Sequence, residues 1–182
     1  KIYFTGSFDK NTGVLNGDII IKGSGDPTLN SEHFKSKNDT NEVTDKWVEV
    51  LVKKGLNELN GKIIADASCF EQHIPANWIW GDITNYFGAA PCGLSFNDNL
   101  YGIIFKSGEA GTKASIKEIK PNYSTIKLEH IANVKAAGKE HEAYVTGDPF
   151  GNKRIINGTI PPNKSELEVR ATLPDPALLC AE

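Results

Sequence analysis

The sequence predicts an α+β, mostly β fold: a mixed α/β domain over residues 1–92 and 156–182, built as a sheet with one main helix, which carries an inserted antiparallel β domain over residues 93–155. Three observations predict it. Short runs rich in aromatic and β-branched residues recur along most of the chain, divided by Gly, Pro, Asn and Asp. Before the C-terminus a single segment repeats apolar residues at helical spacing, through Val43, Trp47, Val50 and Leu51. From Gly93 to Arg170 the strand-like runs follow one another with only turn residues between them.

The first run, Ile2 to Phe8, is followed by turn chemistry in Asp9-Lys10-Asn11-Thr12-Gly13 and a second run from Val14 to Lys22, which together read as a hairpin. Gly23-Ser24-Gly25-Asp26-Pro27 stops the ladder, since the glycines permit positive φ and the proline lacks an N–H. Asp39-Thr40-Asn41-Glu42 has capping-box spacing ahead of a helix expected from about 41 to 54. Gly55 falls where a left-handed residue ends a helix, and Gly61 to Asp66 reads as the next strand, giving a β-β-α-β start. Residues 68–90 hold Pro75, Trp78, Trp80, Tyr86 and Phe87 without clean periodicity, as irregular backbone would. Strands are then expected at 94–106, 114–120, 125–132, 142–146, 153–160 and 166–171, and a proline-started helix at Pro176.

Composition narrows the function. Apolar residues make up 39% and charged residues 24%, as in a folded globular chain. Twenty basic residues against 23 acidic ones leave a formal charge of -3, with no basic stripe to bind nucleic acid. No apolar run approaches the roughly 20 residues that a bilayer span needs. Cys69, Cys92 and Cys180 have no Cys-x-x-Cys spacing, so at most one bridge can form, and the spacing leaves open whether Cys69 and Cys92 make it. His33, His73, His130 and His141 lie far apart without ligand spacing, so no metal and no other cofactor is expected. Gly23-Ser24-Gly25 lacks the lysine and helix of a phosphate loop. The chain begins in strand-like residues, without a Met or a signal peptide, and stops just after a helix starts, so the ends are expected to be cut from a longer protein.

Four segments carry a resemblance. They are Leu15-Asn16-Gly17-Asp18-Ile19-Ile20-Ile21-Lys22-Gly23-Ser24-Gly25-Asp26-Pro27-Thr28-Leu29; Leu59 to Phe70, with its Asp66-Ala67-Ser68-Cys69-Phe70 step; Pro75-Ala76-Asn77-Trp78-Ile79-Trp80-Gly81-Asp82 with Tyr86-Phe87-Gly88-Ala89-Ala90 and Leu94-Ser95-Phe96-Asn97-Asp98-Asn99; and Asp175-Pro176-Ala177. In this order they resemble the class C low-molecular-mass penicillin-binding proteins, D-alanyl-D-alanine carboxypeptidases and endopeptidases of the bacterial periplasm. The match is dense over about 14 to 99, while the β-rich stretch from about 100 to 172 matches in character only. The resemblance implies a periplasmic parent that handles peptidoglycan stem peptides through a serine acyl-enzyme. It further implies that this chain is an accessory region whose partner is the transpeptidase-like catalytic domain of the same parent.

That chemistry needs Ser-x-x-Lys on a helix turn, Ser-x-Asn, and a Lys-Thr-Gly strand. Ser7-Phe8-Asp9-Lys10, Ser124-Thr125-Ile126-Lys127 and Ser95-Phe96-Asn97 are formal matches. We reject both Ser-x-x-Lys matches, because Ser and Lys at i and i+3 diverge in the expected strands and turns. No Lys-Thr-Gly exists to complete a site, so no catalytic residue is expected in this chain. The resemblance places Asp82 against the amino end of the substrate's diamino acid side chain and Phe87 on the wall of the same pocket. Set against this, Asp82 has the form of an N-cap for a short helix starting at Ile83, and Phe87, Trp78 and Trp80 have the form of core residues. Asp18 and Asp26 are expected to organise turns. The rival functions are a free-standing glycan- or peptide-binding β module, with rings stacked on sugar faces, and a plain scaffold domain.

Overall fold

The computed structural model describes residues 1–34 and 43–182, and the fold is α+β and mostly β. The expected capping box at 39–42 lies outside the described residues. The chain forms two compact units: residues 1–72, 91–98 and 176–182 make the first, and 73–90 and 99–175 the second. The sequence expectation instead drew 73–90 and 156–175 into the first part and 93–98 into the insert. For 156–175 hydrogen bonding sets the difference, because the strands that reach into it, 153–160 and 167–172, pair with strands of the second unit.

In the first unit the expected hairpin is broken at mid-length. Its first arm is β1 (Ile2–Phe4) and β2 (Ser7–Asp9), and its second arm is β3 (Val14–Asn16) and β4 (Ile19–Lys22). The helix α1 (Val43–Lys53) leads to a third arm, β5 (Glu58–Asn60) and β6 (Ile63–Asp66), parallel to the second. Both halves keep one register, with Phe4 opposite Ile19 and Ser7 opposite Asn16, then Asn16 beside Asn60 and Ile19 beside Ile63. That register sets Gly6, Gly17 and Gly61 at one level across all three arms. A Cβ on Gly6 would lie 2.1 Å from the Asn16 oxygen, one on Gly17 2.1 Å from the Thr5 oxygen, and one on Gly61 1.9 Å from the Gly17 oxygen. The backbones therefore approach at a line that only glycine can occupy. Asp18 ties the line together, its Oδ1 accepting the Lys62 N–H at 2.9 Å while its own N–H donates to Thr5 Oγ1 at 2.9 Å. It thus joins strands, where a turn role was expected. Asp26 does hold a turn, accepting from the Thr28 N–H and hydroxyl at 2.9 and 2.7 Å.

Helix α1 ends as the sequence predicts. Gly55 has φ +93°, and the Leu56 N–H reaches back to the Leu51 carbonyl at 3.1 Å. Val43, Trp47 and Leu51 are half-buried on one face, and no α1 residue is fully buried. The second helix, α2 (Pro176–Ala181), starts on its proline and packs on β6 through a segment in which Ala177, Leu179 and Cys180 are buried. No disulfide joins the three cysteines, and burial pushes the Cys180 thiol up to about 12.

The second unit contains β7 (Leu100–Lys106), β8 (Ser115–Lys120), β9 (Glu129–Ala136), β10 (Glu142–Thr146), β11 (Lys153–Ile160) and β12 (Leu167–Thr172). One sheet has the order β12-β7-β8 and the other β10-β11-β9. Both central strands bury apolar side chains, with Tyr101, Ile103 and Phe105 on β7 and Ile156 and Ile160 on β11 at 0–1% exposure. The expectation of an all-antiparallel module is corrected here, because β9 and β11 are parallel. The physical reason is burial: the isoleucine-rich β11 takes the protected centre, so the hairpin neighbours β10 and β11 leave β9 to pair on the other side. The third of the expected strands, 125–132, also begins later, at Glu129.

Candidate functional site

Asp82 and Phe87 both lie in the irregular segment of the second unit. Its backbone is a chain of turns, with the Trp78 N–H bonded to the Pro75 carbonyl, Asp82 to Ile79, Asn85 to Asp82 and Gly88 to Asn85, at 2.8–3.0 Å. Successive turns of this kind explain why the aromatics show neither helical nor strand spacing. They also replace the short helix at Ile83 that would have made Asp82 an N-cap. A 3-10 turn does form, at Tyr86–Gly88, but its N-cap is Asn85. Gly88 lets the segment close on itself, since a Cβ there would sit 2.1 Å from the Asp82 oxygen.

The Asp82 side chain is half-exposed, and among the described residues its carboxylate has no hydrogen bond or ion pair. Phe87 is 52% exposed and Trp80 62%, so neither is a core residue, while Trp78 is half-buried. Tyr86 stands edge-on to Phe87 with ring centres 5.0 Å apart. An unneutralised carboxylate on a turn that also presents exposed rings suits a group that is cationic at one end and apolar along its stem.

The sequence analysis missed what holds this turn in place. Ile83, Thr84 and Asn85 are 6%, 0% and 4% exposed, directly before the exposed Tyr86 and Phe87. The Thr84 hydroxyl donates to the Val145 carbonyl at 2.7 Å, and the Val145 N–H donates to Asn85 Oδ1 at 2.9 Å, so the two side chains satisfy both backbone groups of one β10 residue. Asn85 Nδ2 donates to the Gly81 carbonyl at 2.7 Å, and the Thr172 N–H on β12 donates to the Thr84 carbonyl at 3.1 Å. Buried Thr and Asn in an aperiodic stretch leave no sequence signal; their adjacency to Asp82 was the available clue.

Also missed was Arg154, fully buried on β11. Its Nη1 donates to the carbonyls of Asp148, Gly151 and Lys153 at 2.7–3.1 Å, and its Nη2 to those of Pro149 and Thr172 at 3.2 and 3.3 Å. Among the described residues no carboxylate pairs with it in an ion pair. Nearby, the Tyr101 hydroxyl meets His130 Nε2 at 3.0 Å. Burial, and secondarily the Arg154 charge, holds the His130 pKa below its usual value, while burial pushes the Tyr123 hydroxyl up to about 12. A single arginine inside a strand-like run looks like an ordinary exposed position in sequence.

The formal catalytic motifs do not assemble. Ser7 sits on β2, exposed, with Lys10 in the following turn, and among the described residues the two share no hydrogen bond. Lys127 donates to the backbone carbonyl of Ser124 in a loop outside any helix. Ser95 is 6% exposed, and its hydroxyl is turned to the Cys92 carbonyl at 3.2 Å.

Solved structures that share this fold include a penicillin-binding protein. Penicillin binding protein 4 (dacB) from Haemophilus influenzae aligns with a TM-score of 0.65 at 18% identity, over 99% of this chain and 38% of that one. The same protein complexed with a novel β-lactam aligns with a TM-score of 0.55 at 15% identity, over 99% of this chain and 35% of that one. The model of the D-Ala-D-Ala carboxypeptidase 3 (S13) family matches residues 2–182, and the chain belongs to that family. In sequence it is 29% identical over 90 residues to D-alanyl-D-alanine carboxypeptidase DacB of Haemophilus influenzae, covering 49% of this chain and 17% of the relative. The family read from the motifs is thus the family shown, and the chain spans well under half the length of these relatives.

Proposed function

We propose that this chain is a non-catalytic accessory region of a periplasmic serine-type D-Ala-D-Ala carboxypeptidase/endopeptidase, and that it shapes the cleft for peptidoglycan stem peptides. In this reading a mixed α/β accessory domain carries the β-rich part as an insertion, and acylation belongs to a transpeptidase-like domain of the same parent. The turn from Asp82 to Phe87 receives the diamino acid side chain, with the Asp82 carboxylate against its ammonium and the Phe87 ring along its methylenes. The observation that carries the reading is the Asp82 carboxylate: half-exposed, without a partner among the described residues, and set on a turn whose rings face solvent. A carboxylate left unpaired in a rigid turn is ready for an incoming cation without first breaking an ion pair.

The test is Asp82→Asn in the full-length parent, assayed with a stem peptide bearing a free side-chain amine and with its N-acetylated counterpart. Loss of one partly exposed charge pair, about 1.4 kcal/mol, lowers the kcat/KM preference for the free amine about tenfold. A variant that keeps the parental preference removes Asp82 from recognition.

A further inference from the structure

A carboxylate recognises an ammonium only if its direction is set before the ligand arrives, and Asp82 has no side-chain bond among the described residues to set it. Its backbone must do so. Directly after Asp82, Ile83, Thr84 and Asn85 are withdrawn from solvent, the last two of them polar, although Gly81, Tyr86 and Phe87 on either side are exposed. Withdrawing two polar side chains costs free energy unless every polar atom is met, and here the bonds meet them specifically. The hydroxyl of Thr84 and the amide oxygen of Asn85 fasten to the carbonyl and N–H of Val145, which is itself 0% exposed. The Asn85 amide reaches back across the turn to the Gly81 carbonyl, on the N-terminal side of Asp82. Asp82 is therefore spanned, with a bond to the residue before it and an anchor starting two residues after it. The Thr172 N–H holds the Thr84 carbonyl from β12, and the Thr172 carbonyl in turn accepts from the buried Arg154.

We infer that Thr84 and Asn85 are positioning residues for cation recognition: they clamp the Asp82 turn to Val145 of β10 and fix the direction of a carboxylate they do not touch. The inference rests on the reading of Asp82 given above. It assigns the specificity for a cationic side chain to the pair of buried side chains together with the acid, so that the acid alone is insufficient.

The experiment compares Thr84→Val, Thr84→Ser and Asp82→Asn in the full-length parent, on the free-amine and N-acetylated stem peptides. Valine keeps the shape of threonine and removes the donor to the Val145 carbonyl, whereas serine keeps the donor. The inference expects Thr84→Val to raise KM for the free-amine peptide about fivefold, through misplacement of the carboxylate, with a smaller change for the acetylated peptide, and Thr84→Ser to return the ratio to the parental value. A general loss of structure would move both peptides together, and that result, or a ratio unchanged in Thr84→Val, overturns the inference. If Asp82→Asn abolishes the preference while Thr84→Val leaves it intact, the clamp fails and the reading of Asp82 stands. If Asp82→Asn leaves the preference intact, both fall. Should Thr84→Val not accumulate as folded enzyme, Asn85→Ala cuts the same clamp from the Val145 N–H and carries the same comparison.

Discussion

Arg154 shows how a single residue can organise a loop from inside a sheet. A buried guanidinium would cost several kcal/mol if left alone, and here carbonyl dipoles replace water in place of a counter-ion. The planar fork of donors is what allows one side chain to serve carbonyls from the 148–153 turn and from the end of β12 together. Arg154→Met fills the volume but leaves those carbonyls facing an apolar side chain. We expect a loss of about 3 kcal/mol in unfolding free energy, read from urea titration. Arg154→Lys, with a single ammonium in place of the fork, should recover less than half of it. Equal stability of Arg154→Met and the parent would mean that the carbonyls find other donors.

At the scale of elements, the glycine line across the first unit is the feature on which the three-armed sheet turns. Gly17→Ala places a methyl group between the Thr5 carbonyl and the Gly6 backbone, where neither neighbour is a flexible side chain. We expect a cost of about 3 kcal/mol, seen as a lowered denaturation midpoint. Ala at Gly81, where a Cβ would meet nothing within 4 Å, is the matched control. The hairpin itself was legible in the sequence, because the turn residues Asp9 to Gly13 stand between two β-branched runs. Its interruption was not, since Gly6, Gly17 and Gly61 each look like isolated turn residues and their alignment is a property of register. The same distinction explains the second unit. The limits of β10 and β11 agree with the sequence expectation because nearby glycines bound them, at Gly138, Gly147 and Gly151. The start of β9 is decided by its parallel pairing with β11, which no local signal reports. In the candidate site the same holds: Asp82 and Phe87 could be picked out by resemblance, whereas the clamp needs Val145, some sixty residues away, and is invisible without the fold.

For the whole molecule, membership of the D-Ala-D-Ala carboxypeptidase 3 (S13) family has to be reconciled with a sequence that contains no Lys-Thr-Gly and no helix-borne Ser-x-x-Lys among the described residues. The proposed resolution is a division of labour, in which these residues recognise and orient a stem peptide and the acyl transfer takes place elsewhere in the parent. Several large apolar side chains remain open to solvent on the first unit as well, including Tyr3 at 45%, Val48 at 58% and Ile63 at 46%. Labelled penicillin tests the division most directly, because it acylates only a serine that already has its lysine and its carboxylate dock in place. With the isolated chain, the account predicts no covalent adduct at concentrations and times that saturate the full-length parent. A stoichiometric adduct on any serine of this chain would contradict it.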